Sequence, residues 1–485
     1  LIEVSMRVRF APSPTGFLHI GNARTAIINY IIAKKHNAEY LLRVEDTDME
    51  RSSKESEESI IADLKWLGIE WTEGPDIDKG HGPYRQSERF EIYQKYTDKL
   101  LAEKKAYHCY CSQEELDAQR AESEAKGIPF TYKRTCLNLS EEKKKQYEAE
   151  GRKPTVRFKV NDGEKIEIDD GIKGKVVFES DNIGGDFIIV RSDGVPIYNY
   201  IVVIDDLLME ISHVIRGEDH LPNTPKQVMI ARALDMPTPK YAHLPLVLGP
   251  DKKKLSKRHG ITSVDLYKQE GYLPEALMNY IAVLGWSSET GEEILPLEEI
   301  IRQIDIDRLG KSSAVFDFVK LRWMNAAYIR NYDLKKITSL FKPFIEKAGY
   351  DLSKFSEDYI ETIISSIRGN CELLSDIAKL FPIFADDIPS ADEEASAMIA
   401  SAEGKTALTA AKELIDSGEI NQDNFTEITN MIKAKTGLKG KNLFMPVRAM
   451  LTSVLHGPDL AEMLKLIGFE KIKMRISSAY EKNCV

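Results

Sequence analysis

Hydrophobic and polar positions alternate over residues 6–10 with the period of a half-buried strand. Pro12 and Pro14 then end the run, because proline cannot donate to a central ladder. After the turn at residues 15–21, the spacing predicts a helix capped by Asn22, with Ala26, Ile27, Tyr30 and Ile31 on one face. Residues 40–44 form a short apolar run of the buried parallel kind and end in the polar group Glu45-Asp46-Thr47-Asp48. Strand, helix and strand read as a βαβ unit. Ligands of open α/β sheets bind beyond the carboxyl ends of the strands, so the loops at 13–21 and 45–48 are expected to face one crevice.

From about 85 to 195 the pattern changes. An amphipathic helix near 89–105 is followed by clustered cysteines, a charged stretch and short β-like runs such as 155–160, and this segment reads as inserted. Parallel α/β character resumes at 198–206 and 213–216, before a helix that Thr224 is expected to cap with Pro225 at its first position. A lysine run fills 252–258. Beyond about 320 the period is helical throughout, and the acidic stretch 385–403, with Pro389, reads as a junction between helical subdomains. The expected organisation is a first α/β half over 1–84, an insertion over 85–197 and a second α/β half over 198–250. A lysine-motif region over 251–330 and two helical subdomains over 331–390 and 391–485 complete it.

Composition narrows the class. With 485 residues, 42% apolar and 29% charged, the chain can bury several cores, which excludes disorder as its dominant state. No stretch approaches the ~18 unbroken apolar residues of a membrane span, so no membrane association is expected. Residues 1–5 lack the basic start and apolar stretch of an export signal, so the expected compartment is cytoplasmic. Five cysteines are too few for a disulfide framework. Lys and Arg number 66 against 77 Asp and Glu, a net charge of −11 that opposes non-specific adhesion to nucleic acid yet leaves room for a local basic groove.

Two motifs carry the chemistry. In His19-Ile-Gly-Asn22 an imidazole can donate to phosphate oxygens, and Gly21 lets a nucleotide approach the backbone. In Lys254-Leu-Ser-Lys-Arg258 two ammonium groups can neutralise charge that builds on a triphosphate. Each alone is weak, a turn or a solvated basic face. Together, flanking a split α/β sheet, they resemble the two signatures of class I aminoacyl-tRNA synthetases. Three further segments are similar to the glutamyl/glutaminyl branch of that class: Arg9-Phe-Ala-Pro-Ser-Pro-Thr-Gly-Phe-Leu-His-Ile-Gly21, Arg43-Val-Glu-Asp-Thr-Asp48 and Val214-Ile-Arg-Gly-Glu-Asp-His220. Phe316-Asp-Phe-Val-Lys-Leu-Arg-Trp-Met-Asn325 and Gly440-Lys-Asn-Leu-Phe-Met-Pro-Val-Arg448, with a helical tail, resemble its bacterial-type glutamyl members. Asn22 and Leu255 depart from the commonest forms of the two signatures.

The fold this resemblance implies is α/β: a class I Rossmann-type catalytic domain with an inserted acceptor-end-binding domain, followed by an all-α anticodon-binding region. The implied activity is ATP-dependent ligation of L-glutamate to tRNA(Glu) through an adenylate, with Mg²⁺ carried by ATP and a monomeric enzyme. It allows tRNA(Gln) as a second substrate. His19, Lys254 and Lys257 would be catalytic, and the ATP site would comprise His19, Gly21, Asp219, Lys254, Ser256 and Lys257. Arg368 lies near the position of an anticodon-reading arginine.

Charge points to the substrate independently of the family. Two guanidiniums in one crevice, Arg9 and Arg216, favour a substrate with a second carboxylate, while Glu45 suits an α-ammonium and Ser13 and Tyr198 offer neutral hydrogen bonds. The resemblance implies the same five residues, with Val202 at a position that carries asparagine in some relatives. The alternative is that Arg9 and Arg216 merely pair with Glu45 and Asp219. Cys109, Cys111 and Cys136 supply three soft ligands for one structural Zn²⁺ and Tyr132 is the candidate fourth, since Asn138 is a poor ligand; three buried reduced thiols are the alternative. A small-molecule nucleotidylyltransferase would have no use for the helical third. A non-catalytic tRNA-binding paralogue would have lost the motif lysines, and a truncated tRNA-modifying relative would lack the anticodon-binding part.

Overall fold

In the computed structural model, which describes residues 6–48 and 50–485, the strand Arg7–Phe10 lies parallel to Glu39–Leu42 with Arg9 opposite Leu41. Residues 1–5, read as lacking an export signal, lie outside the described part. All four residues of the first strand are buried, rather than alternate ones. Parallel strands are covered on both faces, so the arginines at 7 and 9 go inward with the apolar residues and must find acids there. Arg7 Nη2 meets Glu73 Oε2 at 2.7 Å, and Arg9 is discussed below.

The helix Ile20–Lys35 is likewise buried on several faces, including Arg24 and Asn29. Arg24 Nη2 donates to the Leu284 carbonyl (2.9 Å), and Asn29 Nδ2 donates to the Ile215 carbonyl (3.0 Å). Its N-cap is His19, with Asn22 inside the first turn, because the imidazole Nδ1 accepts from Gly21 N–H and fills the capping role expected of Asn22. Across the sheet, Ser212 N–H donates to the Arg7 carbonyl, which sets the first strand beside His213–Gly217. That strand runs parallel to Lys240–Leu244, with Arg216 opposite His243. Residues 198–206, read only as α/β in character, lie in the helix Tyr198–Leu208, and Asn223 rather than Thr224 stands at the N-cap of the helix Thr224–Ala233, without a side-chain capping bond.

Between the two halves of the sheet lies the antiparallel trio Ala106–Cys109, Thr155–Phe158 and Phe187–Val190. The same stretch holds a hairpin, Lys165–Asp170 with Gly174–Glu179, and this hairpin leaves the trio to join the catalytic sheet, Asp170 pairing with Tyr241 in parallel.

The chain forms two units. The first runs to Tyr267 and includes Leu277–Asp317; the second comprises Lys268–Ala276 and Phe318–Val485. Among the described residues no strand follows Ala314–Val315, and the second unit is built from helices around the wholly buried Ile363, Ile364, Phe381, Phe384, Leu408 and Leu464. The stretch 385–403 is mostly helical: Asp392 caps Glu393–Ala400 through Ala395 N–H, and only 386–392 and the cap residue Ser401 lie outside a helix. No helix among the described residues is long and apolar enough to cross a membrane.

Candidate active site

A cavity of about 970 Å³ opens at the carboxyl ends of these strands, and Arg9, Ser13, His19, Gly21, Glu45, Tyr198, Arg216, Asp219, Lys254, Ser256 and Lys257 all line it. The two loops expected to share a crevice do so. Val202 is buried in the core and does not line the cavity. Arg368 belongs to the helical unit, where its Nη1 donates to the Tyr332 carbonyl at 2.7 Å.

On one side of the cavity stand the two signature segments, and backbone hydrogen bonds tie the first to the residues that follow the second: Ile20 N–H donates to Thr262 O, and Val264 N–H to Leu18 O. Burial holds the His19 imidazole below its ordinary pKa, with Lys254 and Lys257 adding to the effect. A neutral ring whose Nδ1 accepts from Gly21 N–H carries its proton on Nε2, a donor available to an anion. A Cβ on Gly21 would meet only His19 Nδ1, at 3.8 Å, so packing within the chain does not require glycine here. The space beside Gly21 belongs to the cavity.

The lysine motif leaves a hairpin in which Leu255 N–H returns to the Val247 carbonyl. Leu255 is buried and anchors the loop, whereas Lys254 and Lys257 on either side are exposed. Lys254 Nζ pairs with Asp219 Oδ2. Burial raises the Asp219 carboxyl, but the bond to Lys254 brings it below its ordinary pKa. Gly217 is required for this placement, since a Cβ there would stand 2.5 Å from Asp219 Oδ1.

The opposite side is a buried charge chain. Arg9 Nε donates to Asp206 Oδ1 (3.0 Å), Arg43 Nη1 donates to the same oxygen (2.7 Å), and Arg43 Nη2 reaches Glu45 Oε1 (3.0 Å). The pairings weighed from sequence, Arg9 with Glu45 and Arg216 with Asp219, are not those formed. Burial raises the Glu45 carboxyl against the pull of Arg43. Arg216 Nε donates to His243 Nε2 at 3.1 Å, and its Nη2 donates to Thr224 Oγ1 and Gln227 Oε1. Its Nη1 is buried with no hydrogen-bond partner. The Tyr198 hydroxyl lies 3.1 Å from His220 Nδ1, and burial together with Arg216 holds that imidazole down at about 4. Asp206 and His243 escaped the sequence reading, and Arg43 and His220, though inside quoted segments, were given no role, although two adjacent acids in the apolar run Tyr-Ile-Val-Val-Ile-Asp-Asp-Leu-Leu208 signal buried cations.

The cysteines gather elsewhere in the same unit. The sulfurs of Cys109, Cys111 and Cys136 all lie within 4.8 Å of one another, and Cys111 and Cys136 stand 3.6 Å apart. The Tyr132 oxygen is 3.3 Å from Cys109 Sγ and 3.4 Å from Cys111 Sγ. A tetrahedral ion with ~2.3 Å bonds to sulfur and ~2.0 Å to oxygen needs S···S near about 3.8 Å and S···O near about 3.5 Å. The donor set therefore fits one metal ion. Hydrogen bonds from Cys111 and Cys136 draw the Cys109 thiol below its ordinary pKa while theirs rise. Asn138 is exposed, whereas Cys109, Cys136 and Tyr132 are buried.

Comparison with known proteins gives the same picture at the level of family. The model of the class I tRNA synthetase (E and Q) catalytic domain matches residues 5–323, and that of an anticodon binding domain matches 336–480. A glutamate–tRNA ligase of Carboxydothermus hydrogenoformans is 46% identical over 98% of this chain and 100% of its own, and one of a Sulfurihydrogenibium species is 47% identical over 98% and 99%. The crystal structure of a glutamate tRNA ligase from Elizabethkingia meningosepticum, in complex with its amino acid, superposes with a TM-score of 0.86 at 34% identity, covering 99% of this chain and 100% of that one. With this identity sustained over both units, the chain belongs to the glutamate–tRNA ligase family, within the class I (E and Q) tRNA synthetases.

Proposed function

We infer that the chain ligates L-glutamate to the 3′ end of tRNA(Glu), first forming glutamyl-adenylate with release of pyrophosphate and then releasing AMP. The observation that carries this reading is the presence, on one cavity, of two buried guanidiniums facing an imidazole and a lysine hairpin. Arg216 takes the side-chain carboxylate through its unpartnered Nη1, with Arg9 beside it, and Glu45 takes the α-ammonium. Ser13 and Tyr198 complete the amino-acid site. The α-carboxylate attacks the α-phosphorus, and a terminal ribose hydroxyl of the tRNA then attacks the resulting anhydride, with no covalent enzyme intermediate.

No side chain needs to shuttle a proton in the first step. His19 donates through Nε2 to a phosphate oxygen, while Lys254 and Lys257 meet the charge that develops as pyrophosphate leaves; Gly21, Asp219 and Ser256 shape the nucleotide's bed. Mg²⁺ brought with ATP supplies further charge neutralisation. Cys109, Cys111, Cys136 and Tyr132 would hold one Zn²⁺, which serves to fix the fold of the segment 85–197. That segment holds the acceptor end, and the helical subdomains over 331–390 and 391–485 hold the anticodon, with Arg368 as a candidate contact. The enzyme acts as a monomer in the cytoplasm.

ATP–pyrophosphate exchange with glutamate, with and without tRNA, tests this reading. Exchange that requires glutamate and is stimulated by tRNA is expected; exchange supported equally by glutamine would overturn the assignment of Arg9 and Arg216. Charging of purified tRNA(Glu) and tRNA(Gln) decides whether the second is also a substrate.

A further inference from the structure

Behind Arg216, which lines the cavity, His243 has no exposed surface and sits opposite that arginine across two parallel strands. Its ring stacks on Tyr241 at 6.0 Å, a contact that any aromatic ring could make, whereas burying an imidazole costs free energy unless both nitrogens are satisfied. Both are. An arginine Nε can only donate, so His243 Nε2, 3.1 Å from Arg216 Nε, must be unprotonated. The ring proton is then on Nδ1, which donates to Asp170 Oδ2 at 2.5 Å. Asp170 is itself fixed, its Oδ1 accepting from the backbone N–H groups of Ile172, Lys173 and His243. Thr224 and Gln227 hold Nη2 of the same guanidinium. A planar guanidinium pinned at Nε and Nη2 has no freedom left in where Nη1 points, and Nη1 is the nitrogen without a partner.

We propose that Asp170 and His243 are positioning residues for substrate recognition: Asp170 holds His243 in the Nδ1–H tautomer, and His243 Nε2 aims Arg216 at the side-chain carboxylate of glutamate. The proposal rests on the assignment of that carboxylate to Arg216. Burial keeps the imidazole below its ordinary pKa against the opposing pull of Asp170, with Arg216 adding to the lowering, in keeping with an Nε2 that accepts from Arg216. A protonated ring would place a second donor against Nε and push the guanidinium aside. An asparagine at 170 would do much the same, because its amide can donate to Nδ1 and send the ring proton to Nε2.

The test is tRNA charging by full-length His243→Phe, His243→Gln, Asp170→Asn and Arg216→Ala, with KM measured separately for glutamate and ATP. His243→Phe removes the acceptor and is expected to raise the glutamate KM about tenfold or more, the usual consequence of losing a hydrogen bond to a charged group, with ATP KM near wild type. His243→Gln should recover most of the affinity, because its Oε1 stands where Nε2 stood. Asp170→Asn should resemble His243→Phe, and His243→Phe added to Arg216→Ala should cost nothing further. A raised glutamate KM in Arg216→Ala beside wild-type values in His243→Phe and Asp170→Asn would overturn the proposal alone. Unchanged glutamate KM in Arg216→Ala would overturn the assignment of Arg216 itself. Equal losses for glutamate and ATP in His243→Phe without recovery in His243→Gln would mean that the imidazole only holds the sheet.

Discussion

Lys254 Nζ lies 2.9 Å from Asp219 Oδ2, so the ammonium proposed to meet the triphosphate is parked on a carboxylate that lines the cavity. Both side chains are largely exposed, and a pair of that kind is worth at most about 1 kcal/mol. A triphosphate can therefore take the ammonium over at small cost.

It follows that Lys254→Ala or Lys257→Ala should slow adenylate formation while leaving glutamate affinity close to wild type, since these charges matter most where phosphate charge develops. Rapid-quench measurement of adenylate beside equilibrium glutamate binding separates the two. An equal loss in both would indicate a disordered loop instead.

Asp206 is the shared acceptor of Arg9 and Arg43, and all three are buried. Asp206→Asn leaves two guanidiniums without their common counter-charge, which should destabilise the α/β unit by roughly 3–5 kcal/mol. Urea unfolding reads this as a lower midpoint; a midpoint equal to wild type would show that the charge chain contributes little.

Purified protein prepared without chelator should contain about one equivalent of zinc, and Cys136→Ser substantially less. Loss of the ion should raise the requirement for tRNA before it alters ATP binding. Full occupancy in Cys136→Ser would show that the ligands are other than those named.

Acid should weaken the fold before the carboxylates titrate. Burial lowers the pKa of His19, His108, His213, His220 and His243 below 6.5, to about 4 for His220. Between those values the unfolded chain binds protons that the native chain does not, so stability falls as pH drops from 6.5 towards 4. Glu45, raised by burial, runs the other way above 4.5, one group against five. A denaturant midpoint that is flat from pH 7 to 5 would contradict this.

The sequence exposed His19, Lys254 and Arg216 because each sits in a segment whose residue types chemistry restricts. It could not expose His243 or Asp170. An isolated His in Lys-Tyr-Ala-His-Leu244 and an Asp closing an alternating strand are ordinary residues until parallel pairing sets one beside the other. The helix cap failed for a related reason: asparagine is the better intrinsic cap, but the imidazole of His19 reaches Gly21 N–H first. The first strand was read as half-buried because two arginines alternate with apolar residues, and only the acids at 73 and 206, remote in sequence, reveal that both faces are covered.

The hairpin that carries Asp170 lies between the two halves of the catalytic sheet, yet it ends inside that sheet, against Tyr241 and His243. The intervening segment is therefore no detachable module. A chimaera that exchanged it for a foreign one would also exchange a support of the proposed amino-acid pocket. Where that support is lost, discrimination among amino acids would decay although every residue touching the substrate had been kept, so the pocket and the segment can diverge only in step with each other.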